Sequence, residues 1–206
     1  MVEIAPSLPL VFFPGAGGRV VHLRPIAERL AHRRTTYLCE YPGLGGVAPN
    51  PTLHTLADLQ AHLLASLPEQ FDLVTMSMGG VLALRILLEQ PTRIRKLVLM
   101  ATSGGVNIEA LGGLDWRGTF RRVQPNAPSW FLEDRTDVTP ELGRILHPTL
   151  LIYGDADLIA PPSAGHFLQK NLPNARIEVI PDATHDLEID HPDLIASYIE
   201  AHLRRP

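Results

Sequence analysis

A serine hydroxyl becomes a nucleophile only when the chain presents it and a base takes its proton. The segment Val74-Thr75-Met76-Ser77-Met78-Gly79-Gly80 meets the first need. The apolar run from Phe71 to Thr75 reads as a buried strand, and an apolar helix reaching Gln90 follows at once. Ser77 therefore falls on a sharp strand-to-helix turn. Such a turn strains the serine backbone and brings strand and helix together, so small residues are needed two positions before and two after it. Gly79 meets the second requirement, whereas Thr75 stands at the first. Taken alone, Ser-x-Gly-Gly reads equally well as a glycine-containing turn with an incidental serine.

The base and its orienting acid have candidates on two later loops. Gly154-Asp155-Ala156-Asp157 follows an apolar run within His147 to Tyr153, and Pro181-Asp182-Ala183-Thr184-His185 follows Ala175 to Ile180. Each loop alone reads as an ordinary turn. Together they place a carboxylate and then an imidazole after Ser77, at strand ends, in an order that supports Ser-His-Asp acyl transfer. A fourth piece is Phe13-Pro14-Gly15-Ala16-Gly17-Gly18. Glycines let the backbone turn inward, so the amides of Ala16 and Met78 are candidate donors to a tetrahedral oxyanion. The loop lacks the G-x-G-x-x-G spacing and the Lys-Ser/Thr of phosphate-binding loops.

Positioning these groups requires strands that end at one edge. Leu10 to Phe13, Thr36 to Cys39, Phe71 to Thr75, Lys96 to Ala101, the run within His147 to Tyr153, and Ala175 to Ile180 are predominantly apolar. Helical spacing separates several of them: Leu23, Ile26, Ala27 and Leu30; Leu56, Leu59, Leu63 and Leu67, with Thr55 and Asp58 at the start; and Leu194, Ile195, Tyr198, Ile199 and Leu203. This pattern predicts an α/β fold with a mostly parallel sheet of about six strands covered by helices on both faces. Residues 103–145 break the alternation and carry Trp116, Phe120, Trp130 and Phe131, which look exposed. They are expected to form a short lid over the carboxyl ends of the strands, where open α/β sheets bind ligands. With Met76 beside the serine, these aromatics are candidate linings of a substrate pocket, or they only pack the lid down.

At 206 residues the chain is long enough for one domain spanning 1–206, without disulfides or metal. Its net charge of −4 and lack of an extended basic run argue against nucleic acid or anionic membrane as partners. The single cysteine, Cys39, reads as a strand residue rather than a reactive thiol, and no Cys/His cluster suggests a metal. Met1 to Pro9 has no leader pattern, and no run approaches the ~20 apolar residues of a membrane span. The expectation is a soluble cytoplasmic protein needing no cofactor, with an oligomeric state that the sequence leaves open.

Over nearly its whole length the chain resembles the α/β-hydrolase superfamily. Glu40-Tyr41-Pro42-Gly43-Leu44-Gly45 is similar to that family's acidic-x-x-Gly-x-Gly segment after the second parallel strand. Gly154-Asp155-Ala156-Asp157 is similar to its Gly-x-x-Asp segment, which implies Asp157 rather than Asp155 as the catalytic acid. His191-Pro192 matches the segment before its final helix, which implies His185 as the base. The chain departs from the pattern at Thr75-Met76, where Gly-His is usual, and at Pro14-Gly15, where His-Gly is usual. The second variant resembles acyl thioesterases, and the amino-terminal strand pair of the family is mostly missing. The resemblance implies a serine hydrolase that cleaves small carboxylic esters through an acyl-enzyme, a methyl-esterase of the biotin-synthesis kind being one variant. A thioesterase acting on CoA- or carrier-bound acyl groups is the alternative, and a non-catalytic binder on the same fold is the third reading.

Overall fold

The computed structural model describes residues 7–205. The expectation that Met1 to Pro9 carries no leader pattern falls largely outside them. Six strands form one parallel sheet: β1 (Leu10–Phe13), β2 (Thr36–Leu38), β3 (Phe71–Met76), β4 (Ile94–Met100), β5 (Thr149–Gly154) and β6 (Ala175–Ile180), in the order β2-β1-β3-β4-β5-β6. The central strands β1, β3 and β5 are buried along their whole length, which explains their largely apolar runs, and the one buried carboxylate of β3, Asp72, is paired with Arg34 and Arg95. The edge strands β2 and β6 are half-exposed. The second strand stops at Leu38, one residue earlier than its apolar run, although the Cys39 amide still donates to Phe12 O at 3.0 Å.

Alternation along each strand divides the core between two faces. Val11, Phe13, Leu73, Leu97, Leu99, Leu151 and Tyr153 face one side. There they pack against α2 (Leu56–Ala65), α3 (Met78–Glu89) and α6 (Pro162–Asn171). Leu10, Phe12, Val74, Val98, Met100, Leu150 and Ile152 face the other. That side is covered by α1 (Val20–Leu30), α7 (Leu187–Asp190) and α8 (Pro192–Arg204). Thr55 caps α2 by accepting the Asp58 amide at 3.0 Å, and Asp58 in turn accepts the His54 amide at 2.9 Å. Helices α6 and α7 leave no clear periodic signal in the sequence, because α6 is interrupted by polar residues and α7 is a single turn.

The segment between β4 and β5 contains α4 (Arg117–Val123), α5 (Trp130–Glu133) and 3-10 turns at Glu109–Leu111 and Thr139–Arg144. Its aromatics are not exposed as expected. Trp116, Phe120 and Trp130 are half-buried and Phe131 is buried. Phe120 and Trp130 pack edge to face on Phe131, with ring centroids 5.4 and 5.7 Å away, and Trp116 stacks on it at 6.5 Å. Clustering removes more apolar surface from water than four separate contacts with solvent would. No helix among the described residues is long and apolar enough to cross a membrane.

Candidate active site

Strand β3 passes into α3 through Ser77 alone, and that residue takes φ 49°, ψ −115°. A non-glycine residue holds such angles only where its surroundings enforce them. Three hydrogen bonds to the Ser77 main chain do so here. The Ser77 amide donates to Met100 O at 2.9 Å, extending the pairing of β3 with β4. The Ser77 carbonyl accepts the Gly80 amide at 2.9 Å and the Thr102 hydroxyl at 2.6 Å. Gly79 is required because a Cβ there would lie 2.8 Å from Phe13 O and 2.9 Å from Pro14 O. Thr75 is tolerated where a glycine is usual because its fully buried side chain turns into the seam between strands. There its hydroxyl donates to Val98 O at 3.1 Å.

The other two groups arrive on the loops after β5 and β6. His185 Nε2 lies 3.2 Å from Ser77 Oγ, and His185 Nδ1 lies 2.8 Å from Asp157 Oδ2. Asp157 is 2% exposed, and its Oδ1 accepts the amides of Ile159 at 2.8 Å and Ala160 at 2.9 Å. With both oxygens engaged, the carboxylate cannot swing away from the imidazole. An Nδ1–H donated to Asp157 leaves the Nε2 lone pair facing the serine hydroxyl, the tautomer this network assigns. Asp155 does something else. It is exposed, and its Oδ1 accepts the Asp182 amide at 2.6 Å, where Asp182 has φ 58°. Asp155 thus pins the histidine loop while Asp157 meets the histidine. Gly154 allows the two loops to touch, since a Cβ there would fall 2.1 Å from Ala183 O.

The loop after β1 closes the third side. A Cβ on Gly15 would lie 3.3 Å from Ser77 Cβ, so this loop runs directly beside the serine. Gly18 N–H donates to Gly15 O at 2.9 Å, and the buried Tyr41 hydroxyl donates to Pro14 O at 3.0 Å. Gly45 packs so tightly that a Cβ on it would lie 2.3 Å from Gly18 O. The Glu40–Gly45 segment therefore braces the loop. Among the described residues no hydrogen bond takes up the amides of Ala16 or Met78.

A cavity of about 440 Å³ opens at Ser77 and His185. Leu56, Met78 and Val81 form its apolar floor, and Val106, Ile108, Trp116 and Phe131 come from the segment above. Asp115, Arg117, Asp134 and Arg135 give that segment a polar side. Of the residues the sequence marks as pocket candidates, Trp116 and Phe131 line this cavity, and Met76, Phe120 and Trp130 do not. Met76 is 4% exposed and lies in the core under α1 and α8, because alternation along β3 turns it away from the face Thr75 occupies. Phe120 and Trp130 stand behind Phe131.

Burial pushes the Cys39 thiol up to about 12, so it carries no thiolate at neutral pH. It likewise pushes the Glu188 carboxyl, three residues past His185, up to about 7. No group of three or more His, Cys, Asp or Glu among the described residues is arranged to hold a metal ion. Thr102 and Tyr153, whose hydroxyl donates to Thr102 O at 2.5 Å, also belong to this framework. The sequence offers no signal for either, since both sit at strand ends without a motif.

The fold recurs in known proteins. The family model described as the alpha/beta hydrolase family matches residues 10–198. A pimeloyl-[acyl-carrier protein] methyl ester esterase of Legionella pneumophila is 24% identical over 96% of this chain and 96% of its own length. The protein of the same name from Nitrosomonas europaea is 23% identical over 85% of this chain and 88% of its own. A hydrolase of Pseudomonas aeruginosa superposes with a TM-score of 0.74 at 21% identity, covering 98% of this chain and 92% of that one. The last likeness shows the fold, and the match of the family model over most of the sequence shows membership. The chain belongs to the alpha/beta hydrolase family.

Proposed function

We propose that the chain is a serine hydrolase that cleaves carboxylic esters. The observation that carries this reading is the unbroken relay from Asp157 through His185 to a backbone-strained Ser77 at the mouth of a cavity. Ser77 Oγ attacks the ester carbonyl while His185 Nε2 takes its proton. The imidazolium then gives that proton to the departing alkoxide, leaving an acyl-enzyme. Water, activated by the same histidine, adds to the acyl carbonyl, and Ser77 leaves with the proton returned by His185. Asp157 fixes the imidazole tautomer and stabilises its charged form. The amides of Ala16 and Met78 receive the oxyanion, each such donor being typically worth about 3 kcal/mol. The whole chain acts as one domain in this reading, with residues 103–145 as the lid that roofs the acyl site.

The leaving group is an alcohol rather than a thiol. Two relatives named as methyl ester esterases support oxygen. Their names also mention an acyl carrier, which keeps a carrier-bound acyl group as the second reading, favoured by the Pro14-Gly15 loop. A fluorophosphonate probe tests the nucleophile: the native protein takes the label and Ser77→Ala does not. Equal labelling of both defeats the assignment. Turnover of 4-nitrophenyl esters set against acyl-CoA thioesters then tests the leaving group, and a clear thioester preference reverses it.

A further inference from the structure

Arg117 begins α4 and lines the same cavity as Ser77. Its Nε is enclosed and has no hydrogen-bond partner among the described residues. The one carboxylate paired with it there is Asp115, whose Oδ1 stands 3.7 Å from Nη1, beyond hydrogen-bond range, and already accepts the Arg117 main-chain amide at 3.0 Å. The guanidinium lies over the Trp116 ring, 5.5 Å from its centroid. Trp116 is itself wedged against Phe120 and Phe131 at 5.6 and 6.5 Å. The cation is thus held in place before any ligand arrives, and its inner edge has already lost water without gaining a partner.

The acidic charges beside it on the wall are committed. Asp134 accepts the Thr136 amide at 2.9 Å and faces Arg85 at 3.5 Å. Asp137 accepts the Thr139 amide at 2.9 Å. Arg135 spends Nη1 on the carbonyls of Leu132 and Asp134, leaving its other donors unspent. Glu109 is exposed at the rim. The two Nη groups of Arg117 carry no hydrogen bond among the described residues and are the donors a ligand in the cavity can reach. The paired Nη groups of an arginine match the two oxygens of a carboxylate side by side.

We infer that Arg117 is a specificity-determining residue that binds a carboxylate at the far end of the acyl chain, so that the substrates are monoesters of dicarboxylic acids. This rests on the ester-hydrolase reading for the position of the ester, but the anion site is testable without turnover. Binding of adipamate and of hexanamide, which differ only in the terminal carboxylate, is measured by calorimetry on the wild type, Arg117→Gln and Arg117→Lys. Wild type should hold adipamate at least about ten-fold more tightly than hexanamide. Arg117→Gln should abolish that preference and leave hexanamide binding unchanged, while Arg117→Lys, a point charge without the fork, retains part of it. In turnover, mono-(4-nitrophenyl) adipate should exceed 4-nitrophenyl hexanoate in kcat/KM, the difference lying in KM and vanishing in Arg117→Gln. Equal binding of the two amides by wild type, or a preference surviving in Arg117→Gln, overturns the proposal. Arg117-dependent adipamate binding with neither ester hydrolysed upholds the anion site and sinks the ester-hydrolase reading instead.

Discussion

The hydroxyl of Thr102 donates to the carbonyl oxygen of Ser77 at 2.6 Å, and the same hydroxyl accepts the Gly104 amide at 2.9 Å. Thr102 is fully buried and stands one residue past Ala101, which has φ 43°. A Cβ on Gly80 would lie 2.5 Å from the Thr102 oxygen, so the first turn of α3 rests directly on it. The exit of β4 therefore holds the serine turn from behind. Thr102→Val keeps the shape, removes the donor and leaves the Gly104 amide unpaired. It should lower kcat by about ten-fold and stability by about 1–3 kcal/mol, whereas Thr102→Ser preserves both. Rates of fluorophosphonate labelling and urea midpoints separate the two effects. A Val variant that is less stable but labels at the native rate shows that Thr102 supports the fold and not the serine.

Asp155 and Asp157 sit two residues apart and do different work. Asp157→Asn retains an oxygen for the Ile159 and Ala160 amides but presents N–H groups to His185 Nδ1. The imidazole then favours the tautomer whose Nε2–H points at Ser77, which removes the base. In serine proteases that substitution lowers kcat by about 10⁴-fold, and a loss of that order is expected here. Asp155→Asn keeps an acceptor for the Asp182 amide and should change kcat by less than about ten-fold. Steady-state kinetics on a 4-nitrophenyl ester decides: comparable losses in the two variants remove Asp157 from its assigned role.

Most of this framework is legible in the chain because its signals are local. Largely apolar runs at β1, β3 and β5 mark the buried parallel strands, and the loops after β3, β5 and β6 carry Ser77, Asp157 and His185. What is not legible depends on contacts between distant residues. Met76 lies next to the serine in sequence and on the opposite face of the sheet in space. Trp116, Phe120, Trp130 and Phe131 form one cluster, and which two reach the cavity is set by how α4 and α5 pack, not by residue type. Thr102 braces the serine across a gap of 25 residues, with no spacing rule to announce it.

Two glycines on helices make opposite forecasts. Gly79→Ala drives a methyl group against two backbone carbonyls, which cannot rotate away as a side-chain end would. Either α3 lifts from β1 or the chain loses stability, by about 2 kcal/mol on the scale of overpacked interiors, and the serine moves with it. Gly118 lies within α4, and a Cβ added there would meet nothing within 4 Å, so Gly118→Ala should gain about 1 kcal/mol from helix propensity alone. Urea unfolding reads both. A neutral Gly79→Ala with native turnover contradicts the close crossing of α3 over β1.

Glu188 gives the protein a pH dependence of unusual sign for a carboxylate. It is 4% exposed, its Oε2 has no partner among the described residues, and its Oε1 lies 3.9 Å from His22 Nδ1. Burial raises it from 4.5 to about 7; Asp186 and Asp190 add to the rise, while His185 opposes it. Between those two values the folded protein keeps a proton that the unfolded chain releases, so stability falls as pH rises through the window and levels off above it. At about 1.4 kcal/mol per unit the effect reaches about 3 kcal/mol. His202 works from the other side. Burial, with Arg176 and Lys96 nearby, lowers it from 6.5 to about 4, so stability falls as pH drops through that range. Glu188→Gln removes the first slope and keeps the second. Its stability relative to wild type should therefore be greatest above pH 7 and shrink steadily toward pH 4.5. Urea midpoints at pH 5, 6, 7 and 8 measure this, and a constant offset across the series means that Glu188 is ionised throughout and its burial is relieved by another group.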